Sequence, residues 1–230
     1  MDIVKSILEK NNEGVKCIRN GCYDDARQAF KIALSLLKKF YERHLSNQES
    51  YKYRHPPLDL VACTIPNFQN KNLCYGAHYI YQNALLAFLD RNSKTEDVLK
   101  RKKRVCLTAL ITFNLSLAYH CKAHDQFHSR SDYIKVLRLY KSAWNALQTD
   151  PSVSIKEQMS SEVVALGILN NMGVVFHELA SYEHARYCFT TLRHVLLSKS
   201  ASVLSLTTEA RDGMVMNALF QEEEKTAAAA

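Results

Sequence analysis

The sequence predicts an all-α protein, a stack of helix-turn-helix hairpins, and three observations carry that prediction. Asn12, Gly14, Tyr23, Ala26 and Phe30 recur as Asn171, Gly173, Tyr182, Ala185 and Phe189, 159 positions further on and with every interval kept. Agreement in identity and spacing over five positions identifies two copies of one unit. Glycine and proline are scarce, 6 and 4 in 230 residues, which leaves little punctuation for short strands. Apolar residues fall at helical spacing, as in Ala26, Ala29, Phe30, Ala33, Leu34 and Leu37. A hairpin that cannot bury its own apolar face must lean on a neighbour, so the copies imply an array, and arrays of this kind bind.

The first hairpin comprises helices over residues 2–20 and 22–45, within a unit of about 2–45. Gly14 is expected where the helices cross closely, with small Ala26 facing it and Phe30 packing into the next unit. Residues 46–90 form an insertion. Its first part, 46–72, holds Pro56, Pro57 and Pro66 among many Asn and Gln, and is long for a loop. The β-forming runs Tyr51-Lys52-Tyr53-Arg54-His55 and Tyr79-Ile80-Tyr81 point to a small β-hairpin leaning on the stack.

The second unit, about 95–149, opens with a helix over 95–123, capped at Thr95 with Glu96 and Asp97 at its positive end. A third copy of the pattern lies here. Asn114, Ser116 and Tyr119 stand where the first copy has Asn12, Gly14 and Cys17. Tyr133, Val136, Tyr140 and Ala143 match Tyr23, Ala26, Phe30 and Ala33 after a lengthened turn of about eight residues. That second helix covers 131–148 and stops before Asp150-Pro151. The third unit, 154–197, begins with the capping-box pattern Ser154-Ile155-Lys156-Glu157, runs to Leu179, and turns back over 182–197. A capping helix over 201–220 turns Leu204, Met214, Met216 and Leu219 inward, and 221–230 is expected to fray.

Gly14, Ala26, Phe30 and Ala33; Leu115, Tyr119, Tyr140 and Ala143; and Gly173, Phe176, Ala185 and Phe189 together resemble the tetratricopeptide repeat family. That family builds units of about 34 residues from Leu-Gly, aromatic, Ala, Phe and Pro positions. The chain departs from it in lacking the tryptophan, in Ser116 and Val136, in Leu192 where the first copy has Ala33, and in a loosely placed Pro151. The resemblance implies one domain over 1–220, a right-handed superhelical stack of hairpins with a concave groove for a peptide.

Composition suits a soluble globular domain, at 47% hydrophobic and 23% charged residues. Seven cysteines, none paired in a Cys-x-x-Cys motif, point to a reducing compartment. The first residues show no apolar leader, and 105–121 is too short and too polar for a membrane span. The expected location is therefore cytoplasmic or nuclear.

In the resembled family an Asn two residues before the small glycine often bonds the backbone of an extended peptide, and Asn12, Asn114 and Asn171 occupy that place. A carboxamide donates and accepts at once, so it can grip a peptide unit whatever the side chain. His120 and His177, six residues beyond Asn114 and Asn171, and Lys16 and Arg19 beyond Asn12, are expected to select side chains of an acidic or C-terminal segment. The family's clamp for a terminal carboxylate is absent, since Asn11 and Val15 hold its places.

The basic run Lys100-Arg101-Lys102-Lys103-Arg104, in a chain with a net charge of +7, fits a solvated helix start, an import signal or a phosphate-binding patch, and a nuclear nucleic-acid-associated scaffold is the alternative function. Consecutive helical residues point around the axis, which weakens that alternative. His120, Cys121, His124 and His128 lie close in sequence without forming an established metal motif, and His177-Glu178 lacks the second His of the zinc-protease pattern. No phosphate loop, dinucleotide turn or nucleophile elbow is present. The sequence thus predicts a non-catalytic adaptor for a protein or peptide partner, with no cofactor, no metal and no catalytic residues.

Overall fold

A computed structural model of the chain describes residues 3–45, 79–87, 101–125, 129–148, 155–197 and 206–228. Among these residues the regular structure is all helical: α1 (Ile3–Arg19), α2 (Tyr23–Leu45), α3 (Arg101–Asp125), α4 (Arg130–Gln148), α5 (Ile155–Glu178), α6 (Tyr182–Leu197) and α7 (Thr208–Ala228). The closest pairs are α1 with α2, α3 with α4 and α5 with α6, so each predicted hairpin forms. Helices α2 and α3, α4 and α5, and α6 and α7 join the hairpins in sequence order. The odd-numbered helices also touch, α1 with α3 and α3 with α5.

The repeated residues do the same work in the outer hairpins. A Cβ added to Gly14 would lie 2.6 Å from Cε1 of Phe30, and one added to Gly173 would lie 2.5 Å from Cε1 of Phe189. Both rings are fully buried. The large ring therefore seats on the glycine of its own hairpin, where the sequence had suggested a knob into the next unit. In the middle hairpin buried Tyr140 stands at the matching position of the repeat and buried Ser116 at the glycine's, the Ser116 hydroxyl donating to the carbonyl of Thr112 at 2.7 Å.

The turns repeat as well. Gly21 has φ 72°, and Ala180, 159 positions later, has φ 57°. In each turn the cap residue donates three residues back and its successor five back: Gly21 to Ile18 and Cys22 to Cys17, Ala180 to His177 and Ser181 to Phe176. This is the paired bonding that closes a helix over a left-handed residue. The alanine keeps the conformation at a cost glycine avoids.

Cation–π contacts recur at the joints between hairpins. Lys31 of α2 lies 5.9 Å from the Tyr119 ring of α3, and Lys141, at the matching place in α4, lies 5.2 Å from the Phe176 ring of α5. Arg27 approaches Tyr119 more closely, at 4.4 Å. The first joint is reinforced by Lys122 on Asp24 at 2.8 Å and by the Tyr23 hydroxyl on Asp125 at 2.8 Å.

Three expectations change. Tyr79-Ile80-Tyr81 belong to a single extended segment held by helix side chains; the other half of the proposed β-hairpin, 51–55, lies outside the described residues. Helix α7 begins at Thr208, where the Thr207 hydroxyl accepts from the amide of Ala210 at 3.2 Å, and it continues to Ala228. Its inward side chains are Ala210, Met214, Asn217 and Ala218, while Met216 and Leu219 are exposed; Leu204 lies outside the described residues. Asn217, the polar one of these four, is what the apolar pattern could not anticipate.

Candidate functional site: an asparagine ladder around an extended segment

Residues 79–87 run as an extended strap across α7, α5, α3 and α1, in that order. An extended backbone cannot bond within itself, so buried peptide groups need outside partners. Four asparagines, one per helix, supply them. Each uses its Oδ1 to accept from the N–H, and its Nδ2 to donate to the C=O, of one residue. Asn217 grips Tyr79 at 2.7 and 2.6 Å, and Asn171 grips Tyr81 at 2.8 and 2.9 Å. Asn114 grips Leu85 at 2.9 and 2.8 Å, and Asn12 grips Ala87 at 3.1 and 3.0 Å. The gripped residues are odd-numbered because alternate residues of a strand turn the same way.

Two further asparagines tie the rungs into pairs. Asn11 donates to the Leu85 carbonyl at 3.1 Å and to Asn12 Oδ1 at 3.2 Å, and accepts from Asn114 at 2.9 Å. Asn170 does the same, donating to the Tyr79 carbonyl at 2.9 Å and to Asn171 Oδ1 at 3.0 Å, and accepting from Asn217 at 2.8 Å. The ladder is therefore one three-asparagine module used twice. Its copies sit six residues apart on the strap, and their Asn-Asn pairs sit 159 apart in the chain. Such doublets were visible in the sequence; Asn217 had no matching signal.

Side chains of the strap enter the core. Ile80, Tyr81 and residues 84–87 are buried. Glycines open the space for the two aromatic ones. A Cβ on Gly167 of α5 would stand 2.8 Å from the Tyr81 ring and 3.0 Å from Phe113, and one on Gly213 of α7 would overlap the Tyr79 ring. The Tyr81 ring packs against Phe113, with centroids 6.3 Å apart, and Phe113 against Tyr140 at 6.1 Å.

The ladder is anchored from behind by a buried relay. Asn171 Nδ2 donates to the Tyr140 hydroxyl at 3.0 Å, and that hydroxyl lies 3.2 Å from Nδ1 of His120. Either neutral tautomer of the imidazole makes this bond, the hydroxyl donating to a bare Nδ1 or Nδ1–H donating to the oxygen's second lone pair. His120 has no exposed surface. Burial, helped by nearby His124, pushes it down to about 3, so it is neutral at ordinary pH. Burial likewise raises Tyr140, which keeps its proton.

The remaining predicted residues are placed as follows. His120 backs the ladder from inside the protein, and His177 lies half-buried at the end of α5, its ring 5.2 Å from that of Tyr182. Lys16 is exposed and Arg19 half-buried at the end of α1, and neither bonds the strap. Arg101 to Arg104 open α3, their side chains lying outside the described residues together with Lys100. Among the described residues, no three His, Cys, Asp or Glu side chains converge as metal ligands would, and no helix is long and apolar enough to cross a membrane. No family model, curated protein or solved structure matches the chain, so its functional reading rests on the ladder's own geometry.

Proposed function

We propose that the chain is a non-catalytic protein-interaction scaffold, a right-handed superhelical array of tetratricopeptide-like hairpins whose asparagine ladder is a site for an extended polypeptide. The observation that supports this reading is the pairing of four carboxamides, one on each of α1, α3, α5 and α7, with both backbone groups of Tyr79, Tyr81, Leu85 and Ala87. That arrangement recognises a peptide by its main chain, which every polypeptide shares, and leaves selection to a few side-chain pockets. Its polar groups face peptide groups and nothing reactive, which favours holding over chemistry. The reading also assigns the cytosol or nucleus as the working compartment, in keeping with free cysteines such as Cys121 and Cys188 in the core.

The test is capture from an extract of the source cells by the immobilised chain, with and without an excess of a synthetic peptide covering residues 77–89. A discrete set of proteins retained at high salt and released by the peptide supports a ladder-bound partner. Retention that vanishes with nuclease or at high salt instead favours the nucleic-acid scaffold, because phosphate contacts weaken steeply with salt. Proteins retained but indifferent to the peptide place the binding surface elsewhere.

A further inference from the structure

We infer that residues 79–87 are a tethered stand-in for a partner's segment, and that the partner segment able to replace them carries aromatic residues at two ladder positions two apart. This rests on the reading of the ladder as a polypeptide site and adds the occupant's sequence and the way access to it is controlled.

Three observations carry the inference. First, every ladder bond to the strap is made to its main chain, so nothing in the four bidentate grips requires this particular segment. Second, the strap belongs to no hairpin. Thirty-three residues separate it from α2 and thirteen from α3. Third, the helices contact one another directly along the array, hairpin to hairpin, without the strap as intermediary.

The pockets then define what fits. Gly213 and Gly167 make room for rings at the first and third positions, where Tyr79 and Tyr81 stand. The seventh position holds buried Leu85 and the ninth buried Ala87, an aliphatic and a small residue. Proline is excluded at all four, because each asparagine Oδ1 needs an N–H. The required pattern is aromatic-x-aromatic-x-x-x-aliphatic-x-small. The chain itself illustrates the selection: Tyr51-x-Tyr53 repeats the aromatic spacing but would set Pro57 opposite Asn114 and Asp59 opposite Asn12.

A tethered occupant also sets a threshold. Covalent attachment within one chain holds the segment at an effective concentration on the order of 1 mM, so a free peptide at about 10 µM is disfavoured roughly a hundredfold until the linkage is cut or the strap withdrawn. Access is thereby reserved for partners that match the pattern better than the strap does, or that are themselves held nearby.

The experiment uses the full-length chain with two specific protease sites, inserted after Asn72 and after Asn92, so that cutting leaves the native strap in place without its tethers. A fluorescein-labelled 77–89 peptide is added at 10 µM, and uptake is followed by polarisation while far-UV circular dichroism follows the helices. The expected result is uptake by the cut protein with the helical signal retained, at least fiftyfold less uptake by the uncut protein, and no uptake of a peptide carrying Leu85→Pro. A Tyr81→Ala peptide should be taken up at least tenfold more weakly. Because cutting could unfold the protein, a second sample is uncut chain carrying Leu85→Pro within its own strap; recovery of its thermal transition on adding the wild-type peptide supports the inference equally. Loss of the helices that the peptide does not reverse in either sample overturns it, as does a folded cut protein that takes up no label. Exchange of the strap without any protein captured by the opened groove would leave the stand-in intact and sink the scaffold reading. Capture indifferent to the strap would do the reverse.

Discussion

Replacing Asn171 by alanine isolates the centre of the ladder. Its carboxamide serves four buried partners: the N–H and C=O of Tyr81, Nδ2 of Asn170 and the Tyr140 hydroxyl. Asn170 keeps its bond to the Tyr79 carbonyl and Tyr140 keeps His120, so the groups left without partners are the two of Tyr81. An orphaned buried polar group costs about 1–3 kcal/mol, so the expected loss is about 2–6 kcal/mol. Asn12→Ala removes the same two bonds at Ala87, but Asn12 is only partly buried and water can replace it, so about 1 kcal/mol is expected there. The assay is urea unfolding followed by circular dichroism at 222 nm, with Tyr140→Phe completing a double-mutant cycle. A coupling of about 1 kcal/mol between residues 171 and 140 is expected. If Asn171→Ala lies within 0.5 kcal/mol of wild type, the ladder is not holding the strap and the reasoning from its bonds is wrong.

Other expectations follow from the same contacts. His120 is held neutral in the folded protein but takes a proton near its ordinary 6.5 once unfolded, so below that pH the unfolded chain binds the extra proton. Stability should fall as pH drops from about 6.5 towards 3, by about 2 kcal/mol between pH 7 and 5 from this group, and His120→Phe should flatten the slope measured by urea titration at each pH. Ala180→Gly relieves a left-handed alanine and should stabilise by about 0.5–1 kcal/mol, raising the melting temperature by about 1–4 °C in calorimetry. Gly173→Ala drives a methyl into the buried Phe189 ring and should cost about 1–3 kcal/mol, part of it recovered by Phe189→Leu in the double variant; an additive pair would refute the contact.

The hairpins were legible because their determinants repeat in sequence: the glycine under a ring, the small residue facing it, and the spacing of 159 between outer copies. The extended backbone opposite the asparagines was legible in its chemistry, since a carboxamide pairs with a peptide unit. Its origin was not, because the strap carries no periodicity relating it to the ladder. Only packing sets Tyr81 opposite Asn171. His120 shows a different limit. Each helical residue turns about 100°, so six residues past Asn114 is about 120° away from the ladder face, and that direction leads into the core against Tyr140. Lys16 lies four residues past Asn12, on nearly its face, yet α1 is short beyond the ladder and the side chain ends in solvent.

The direction in which the strap crosses the helices bears on how the chain is born. A ribosome releases residues 79–87 after α1 and α2 and before the other described helices, so of the six ladder asparagines Asn11 and Asn12 alone then exist. Asn114, Asn170 with Asn171, and Asn217 emerge later, in that order. Read against the strap, the grips arrive at Ala87, then Leu85, then Tyr81, then Tyr79. The segment is thus fastened from its trailing end backwards, and the rung at Tyr79 closes only when α7 has been made. Shortening the chain before Asn217 should leave Tyr79 held by Asn170 at its carbonyl, without the Asn217 grip on its N–H, while the other three rungs close.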